Sequence, residues 1–260
     1  MIHPTACIDP TAQIADNVQI GAFCVIGAGV EIGEFCVLHP HVVVHSGVKM
    51  GRANTVHAGA VLGDVPQDLA FVASTLSYVV IGDRNVIREN VTIHRASREN
   101  GTTRLGDDCF LMANAHLGHD VVVGDRVILA NNVLLGGHVT VGDRVFFGGS
   151  SAVHQHVRIG RLAIAQGLAG CSKDVPPFTM VAEINLMSGL NTVGMKRAGF
   201  SPSVRAEIKS AFALIYRSGL NISQALAEAE KQTWGAEATE FFDFILGESK
   251  HGICAFPAGR

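Results

Sequence analysis

The sequence predicts a mostly β protein: a parallel β-helix of about nine coils followed by an α-helical C-terminal region. Three observations carry that prediction. An apolar residue recurs at every sixth position: Ile2, Ile8, Ile14, Ile20, Ile26, Ile32, Leu38, Val44, Met50, Val56 and Leu62. The position four after most of these anchors is also small or apolar, as in Ala6, Ala12, Val18, Cys24, Val30, Cys36, Val42, Val48 and Ala60. Gly or Asp often sits beside the anchor, as in "IGAFCVIGAGVEIGEFCV". Two inward positions in every six residues describe a short strand and a corner, and three such sides close a triangular coil of 18 residues. At a strand spacing of ~4.8 Å, nine coils make a prism about 40 Å long.

The elements follow in order. After Leu62 the phase resumes at Ile81, Ile87 and Ile93, then holds through Leu105, Leu111, Leu117, Val123, Leu129, Leu135, Val141, Phe147, Val153, Ile159, Ala165 and Cys171. Their inward partners include Cys109, Ala115, Val121, Val127, Val133, Val139, Val145 and Val157, with Asn54, Asn85 and Ser151 as polar exceptions. Two stretches fall out of phase, "GDVPQDLAFVASTLSYVV" (63–80) and "RASRENGTTR" (95–104). They must leave the prism as loops, and loops on a rigid scaffold often carry function. The period ends near "KDVPPF", where paired prolines are expected to stop the strands. "SPSVRAEIKSAFALIYRSG" then reads as a helix, with Ser201 as N-cap and Pro202 in the first turn. Val204, Ile208, Ala211, Phe212 and Ile215 form its apolar face, and Gly219 ends it. "NISQALAEAEK" and "ATEFFDFIL" read as two more helices. The expected division is a prism over 1–185 and a helical region over 186–260.

Composition narrows the class. Hydrophobic residues make up 48% of the 260, yet aromatics only 6%, and 29 residues are Gly, as a prism of small aliphatic side chains and many corners requires. A net charge of −3 leaves no general pull toward nucleic acid or an anionic membrane. The start, "MIHPTACIDPTAQ", lacks a basic segment followed by an apolar one, so no secretion signal is expected. No stretch reaches the ~18 apolar residues that cross a bilayer. Four of the six cysteines (Cys24, Cys36, Cys109 and Cys171) fall in inward phase, as small core residues rather than disulfide or zinc pairs. A reducing, cytoplasmic setting follows.

The candidate chemistry lies in "NAHLGHDVVVGDRVILANNVLLGGHVTVGD". Leu117 and Val121 point inward, which leaves His116, His119 and Asp120 outside the core phase. Residues 18 apart stack on one face, so His119, Gly137 and Gln155 form one column and Asp120, His138 and His156 the next. An imidazole, a carboxylate, a bare backbone and an amide thus share one patch. A general base, its orienting acid and an oxyanion donor are what acyl transfer to a hydroxyl requires. Histidine suits the base role near neutral pH, and glycine lets a substrate approach the backbone N–H closely. With no Ser or Cys expected in the patch, direct transfer is expected rather than a covalent acyl-enzyme.

The [LIV]-G-x4 repeat resembles the hexapeptide-repeat acyltransferases, whose coils are left-handed, although ordinary parallel crossovers are right-handed. "QDL", "TIHR", "NAHLGHD", "LANNVLLGGHVTVGD", "AVHQHVRIG", "DVPPF" and "LIYRSG" are similar, over nearly the whole chain, to the UDP-N-acetylglucosamine O-acyltransferases that begin lipid A synthesis. The resemblance implies transfer of a 3-hydroxyacyl chain from acyl carrier protein to the sugar 3-hydroxyl. In it His119 is the general base, Asp120 supports it, and the Gly137 N–H stabilises the oxyanion. His116, His138, His154 and Gln155 correspond to residues that position sugar nucleotide or thioester. Gly167 corresponds to the position that sets acyl length, Asp68 to a substrate contact in the first loop, and Asn191 and Arg197 to contacts near the tail. The resemblance further implies a homotrimer with sites between prisms, no cofactor and no resident metal.

Three positions depart from the family pattern: Ala70 replaces a lysine in "QDLAF", while Val193 and Ala198 in "NTVGMKRAGF" replace an acidic residue and an arginine. The loss of three polar contacts raises a second expectation, a divergent homologue with another acceptor, since each charged hydrogen bond contributes about 1.5–3 kcal/mol. A third reading is a zinc enzyme of carbonic anhydrase type, for which His94, His116 and His119 offer ligands, although residues three apart on a β-coil do not converge on one ion. The related amine acyltransferase carries an extra N-terminal domain, which a repeat beginning at Ile2 leaves no room for. A purely structural solenoid and a small acetyl-CoA-dependent acetyltransferase fit less well, given the intact His119–Asp120–Gly137 set and the helical tail.

Overall fold

The computed structural model describes residues 1–256, so the last four residues of the expected helical region, 257–260, lie outside the described residues. Short strands, most of two residues, stack into three sheets that form the faces of a triangular prism. The first face runs from Cys7–Ile8 to Gly170–Cys171 in nine strands, and the second from Gln13–Ile14 to Arg158–Ile159 in eight. The third has ten, beginning at Gln19–Ile20. Uninterrupted coils pair residues 18 apart in parallel, as in Leu117 with Leu135 and Leu135 with Val153. From Ile20 to Cys171 every anchor named above is buried, as is every inward cysteine. The first coil is the exception: Ile2 is 50% exposed and Ile8 and Ile14 are half-buried, because a solenoid's end has no next coil to cover it.

The coil winds left-handed. The right-handed rule for crossovers comes from strand twist feeding a connection that packs back onto the sheet. Two-residue strands joined by tight corners accumulate almost no twist, so the cause of the rule lapses. Nearly every corner instead turns through a residue in the left-handed region, among them Asn114 (φ 61°), Asp120 (59°), Asn132 (60°), His138 (61°) and His156 (64°). Asn, Asp and His tolerate that conformation better than most residues.

The polar exceptions in the core are partly explained. Asn54 and Asn85 are fully buried and form a ladder between coils. Asn54 Nδ2 donates to the Gly82 carbonyl (2.8 Å), Asn85 N–H donates to Asn54 Oδ1 (2.9 Å), and Cys109 N–H donates to Asn85 Oδ1 (2.8 Å). Each ladder bond satisfies a backbone group that a valine would leave unmet. Ser151 Oγ is buried without a partner among the described residues, and nothing in the structure explains it.

Both loops are shorter than the phase breaks suggest. Strands Val61–Asp64 and Tyr78–Ile81 take in the ends of the first, and Thr102–Leu105 the end of the second. Leu62 pairs with Ile93, 31 positions on, and Ile93 with Leu117, 24 positions on. The paired prolines do not end the sheet either. Ile164 pairs with Met180 in strand Thr179–Ala182, which turns back antiparallel into Leu186–Leu190. Pro176 and Pro177 lie between Val175, which bridges to Ile159, and that strand, where their missing N–H groups cost the ladder nothing.

Four helices follow: α1 (Thr192–Arg197), α2 (Pro202–Tyr216), α3 (Ile222–Ala229) and α4 (Ala236–Leu246). Ser201 caps α2 as expected, accepting from Val204 N–H, and Ile208, Ala211, Phe212 and Ile215 are buried. Helix α1, capped by Asn191, is too short for periodicity to reveal. Arg158 binds Asp174 (2.8 Å) and its guanidinium lies over Phe244 of α4, while Arg161 pairs with Glu240 of the same helix. These contacts fix the helices to the prism's end. No helix among the described residues is long and apolar enough to cross a membrane.

Candidate active site

The expected columns form at the corner between the first and second faces, after strand His116–Leu117 and before Val122–Val123. Backbone bonds lock its coils together: His138 N–H donates to the His119 carbonyl (2.9 Å) and His156 N–H to the Gly137 carbonyl (3.0 Å). The His119 and His138 rings meet edge to face at 5.0 Å, and the His138 and His156 rings stack at 4.5 Å and 9°.

His119 Nδ1 lies 2.9 Å from Asp120 Oδ2. Since an ionised carboxylate can only accept, this bond puts the neutral imidazole's proton on Nδ1 and its lone pair on Nε2. Nε2 faces Gly137 so closely that a Cβ on that residue would lie 2.5 Å away. Only glycine fits. The Gly137 N–H has no acceptor among the described residues, a property shared by the equivalent corner positions 119 and 155. The lone pair and the free N–H therefore face the same small space.

Asp120 lies outside the core phase as expected but is not exposed. It points away from the prism core, yet the residue is only 8% exposed. The second loop returns over it: Ser97 donates its N–H (2.9 Å) and its hydroxyl (2.7 Å) to Oδ2. Thr103 Oγ1 accepts the Asp120 N–H at 2.8 Å. Burial alone would raise the Asp120 carboxyl, but the hydrogen bonds from His119 and Ser97 outweigh it and hold it below its ordinary value. Arg98 Nε lies 3.7 Å from Oδ1, which has no hydrogen-bond partner among the described residues. A serine thus does enter the patch. Its proton is given to the carboxylate, which makes it a support for Asp120 rather than an attacking group.

His116 sits beside the corner, its Nδ1 2.7 Å from Thr92 Oγ1 and its ring edge-on to His94 at 4.7 Å. Burial, with His94 and His119 adding to it, pushes His116 down to about 4, so the ring is neutral at neutral pH. His138 is lowered too, by burial first. Gln155 and His154 lie on the next coil, where the C-terminal tail reaches them: His251 Nε2 is 3.0 Å from the Gln155 carbonyl and Lys250 Nζ 3.3 Å from His156 Nδ1.

Four expected residues stand apart from this corner. Asp68 is exposed on the first loop and accepts the Ala70 N–H. Gly167 lies between strands Ile164–Ala165 and Gly170–Cys171, at the opposite edge of the first face. Asn191 is 5% exposed, with both ends of its amide used: Nδ2 donates to the Leu162 carbonyl and Oδ1 accepts from Gly194 N–H. It caps α1. Arg197 is exposed at the end of α1 in a groove with Lys196 and Arg205.

The zinc trio does not assemble, since His116 binds Thr92 and His94 is buried behind it. The groups that converge are His119, Asp120 and His138, with ligand atoms within 4.8 Å of one another. Within this group His119 Nδ1 is engaged with Asp120 Oδ2, which also accepts twice from Ser97. A groove of about 880 Å³ lies between the second face and α4, and its arginines Arg158 and Arg161 are already paired.

Sequence phase pointed to His119, Asp120 and Gly137 but missed Ser97, Thr103, Lys250 and His251. Comparison with known proteins agrees with the fold. A family described as UDP-N-acetylglucosamine O-acyltransferase, domain 2, matches residues 174–254, and the bacterial transferase hexapeptide family (six repeats) matches residues 1–34 and 102–137. The acyl-[acyl-carrier-protein]–UDP-N-acetylglucosamine O-acyltransferase of Syntrophobacter fumaroxidans is 40% identical over 97% of this chain and 98% of its own length. That of an Anaeromyxobacter species is 42% identical over 97% and 98%. The solved structure of the Francisella novicida UDP-N-acetylglucosamine acyltransferase superposes with a TM-score of 0.94 at 37% identity, covering 100% of this chain and 95% of that one. The chain belongs to the UDP-N-acetylglucosamine O-acyltransferase family.

Proposed function

We propose that this protein transfers a 3-hydroxyacyl chain from acyl carrier protein to the 3-hydroxyl of UDP-N-acetylglucosamine, the first step of lipid A biosynthesis, in the cytoplasm. The observation that carries the reading is the His119 imidazole held between Asp120 and Gly137, with Nδ1 on the carboxylate and Nε2 against the free backbone N–H. His119 Nε2 takes the proton of the sugar hydroxyl as its oxygen attacks the thioester carbonyl. The Gly137 N–H receives the oxyanion as it forms. Collapse breaks the C–S bond, and the imidazolium returns its proton to the departing thiolate, so an ester and a thiol leave. Asp120 remains ionised and stabilises the imidazolium, as a buried carboxylate does for histidine bases elsewhere.

His116, His138, His154 and Gln155 line the approach and position the substrates. Gly167, where an added Cβ would meet only the Gly149 backbone at 3.5 Å and beyond, leaves room for a long acyl chain. Because Gly167 and His119 occupy opposite edges of one face, we place the complete site between neighbouring prisms of a homotrimer, with Asp68 and Arg197 as outer contacts. Ala70 and Val193 are exposed and Ala198 packs against the core, so the three departures thin the outer contacts without touching the corner.

The test offers purified protein carrier proteins bearing 3-hydroxyacyl chains of several lengths. Acceptors are UDP-N-acetylglucosamine, its 3-amino analogue and other nucleotide sugars. Turnover with UDP-N-acetylglucosamine is expected. Turnover only with another acceptor would replace the substrate assignment, and no acyl transfer to any sugar nucleotide would overturn the reading.

A further inference from the structure

The chain's last described segment is fixed against the prism. Gly252 accepts from Asp174 N–H (2.8 Å), Cys254 N–H donates to the Asp174 carbonyl (2.8 Å), and the Cys254 side chain is fully buried. Bridges pair Asp174 with Ile253 and Leu186 with Ala255. This docking puts two side chains at the head of the candidate columns. His251 reaches the Gln155 carbonyl, continuing the column of His119, Gly137 and Gln155, and meets the His154 ring edge-on at 5.5 Å. Lys250 Nζ lies 3.3 Å and 3.4 Å from the two nitrogens of His156, continuing the column of Asp120, His138 and His156. The tail thus supplies the next step of the corner where the repeat has ended.

The charge balance there is one-sided. Arg98, His119, His138, His154, His156, His251 and Lys250 face or flank the corner, and the acid among them, Asp120, has a side chain only 4% exposed and is already engaged by His119 and Ser97. Asp174, below the tail, is fully buried and held by Arg158. Lys250 has no carboxylate within ion-pair distance among the described residues. The chain as a whole is net negative at −3, so this local excess of cation and imidazole is not a general property of its surface. The His156 ring is driven below its ordinary value by burial, then by His138, Lys250 and His251, as uncompensated positive neighbours require.

We propose that Lys250, His156 and His251 form a phosphate-binding subsite two to three coil steps, or roughly 10–15 Å, along the prism axis from His119. The inference rests on the acyl-transfer reading for its choice of ligand. Phosphate comes to this site from two sources. The diphosphate of a nucleotide sugar sits across a pyranose ring from the 3-hydroxyl, and the phosphate of a carrier's phosphopantetheine sits a full arm's length from the thioester. The ammonium suits either as a charge-assisted donor to phosphate oxygens, the neutral His156 ring can add one N–H, and His251, whose Nε2 donates to the Gln155 carbonyl, borders the subsite.

The experiment compares wild type with Lys250→Ala and Lys250→Arg, on an exposed side chain whose loss leaves the fold intact, checked by thermal melting. Steady-state kinetics are run with the carrier protein donor and with an acyl-pantetheine donor lacking phosphate. A rise of about tenfold in KM for the nucleotide sugar, with kcat changed far less and Lys250→Arg restoring most of the loss, supports the diphosphate as ligand. A KM rise for the carrier donor alone, absent with the phosphate-free donor, supports the phosphopantetheine. Unchanged KM for both, or a loss confined to kcat, overturns the proposal. A direct titration with UDP and with inorganic pyrophosphate keeps this test separate from the acyl-transfer reading. If wild type transfers no acyl group yet binds either anion more tightly than Lys250→Ala, the subsite stands and the acyl-transfer reading falls. If Lys250→Ala binds both anions as tightly as wild type, the subsite falls.

Discussion

Ser97 gives two hydrogen bonds to a single oxygen of Asp120, one from its backbone N–H and one from its hydroxyl, and the same oxygen receives the His119 ring. The second loop is therefore part of the base's support rather than a surface excursion. Ser97→Ala removes the hydroxyl bond and keeps the backbone one. We expect kcat to fall about tenfold with little change in KM, on the scale of one hydrogen bond to a charged group. Ser97→Thr, which restores the hydroxyl, should recover most of the activity. Equal activity in wild type and Ser97→Ala would show that the loop does not act through Asp120.

Gly137 tests the close approach. Its φ is not in the left-handed region, so alanine meets no backbone strain there, but the new Cβ would lie 2.5 Å from His119 Nε2. The imidazole must move. Gly137→Ala should cost activity roughly a hundredfold, as removal of an aligned oxyanion donor and base does. Circular dichroism should report an unchanged β-helix.

Acid should destabilise the fold through His116. Its folded value of about 4 lies below the ordinary 6.5, so the unfolded chain binds the proton first. The stability this neutral ring contributes is complete above pH 6.5 and is lost progressively as pH falls from 6.5 to 4. The shift corresponds to roughly 3 kcal/mol at the low end. His94 and His57, both lowered chiefly by burial, act in the same direction. Melting temperature should drop across that window, and His116→Gln should shallow the slope; an equal slope in both would contradict the assignment.

A shared site predicts complementation. His119→Ala alone should be inactive, and Gly167→Phe alone should fail with long acyl chains, since a side chain there has space to fold but fills the channel. Coexpressed, the two should form mixed trimers in which some clefts take His119 from one chain and Gly167 from the next. Recovered long-chain activity in the mixture supports sites between protomers. None would place each site within one chain.

Most of the prism was legible because its information is local and periodic. The phase placed Cys24, Cys36, Cys109 and Cys171 in the core and set Gly137 beside His119 with no distance known. What it could not carry was where an out-of-phase segment lands. Ser97 reaches Asp120 across 23 positions, and Lys250 reaches His156 across 94. Nothing periodic links either pair. The strand at Thr179–Ala182 was hidden for the opposite reason, because prolines that forbid a central strand are harmless at a corner. Asn191, expected as a ligand contact, also caps α1, a second role that the sequence pattern alone did not reveal.

The most direct test of the central claim is the turnover of His119→Gln, at saturating carrier donor and UDP-N-acetylglucosamine, in protein whose melting curve matches wild type. A positioned general base contributes about 10²–10⁴-fold, so kcat should fall by roughly a thousandfold. A variant that keeps kcat within about tenfold of wild type would contradict His119 as the base.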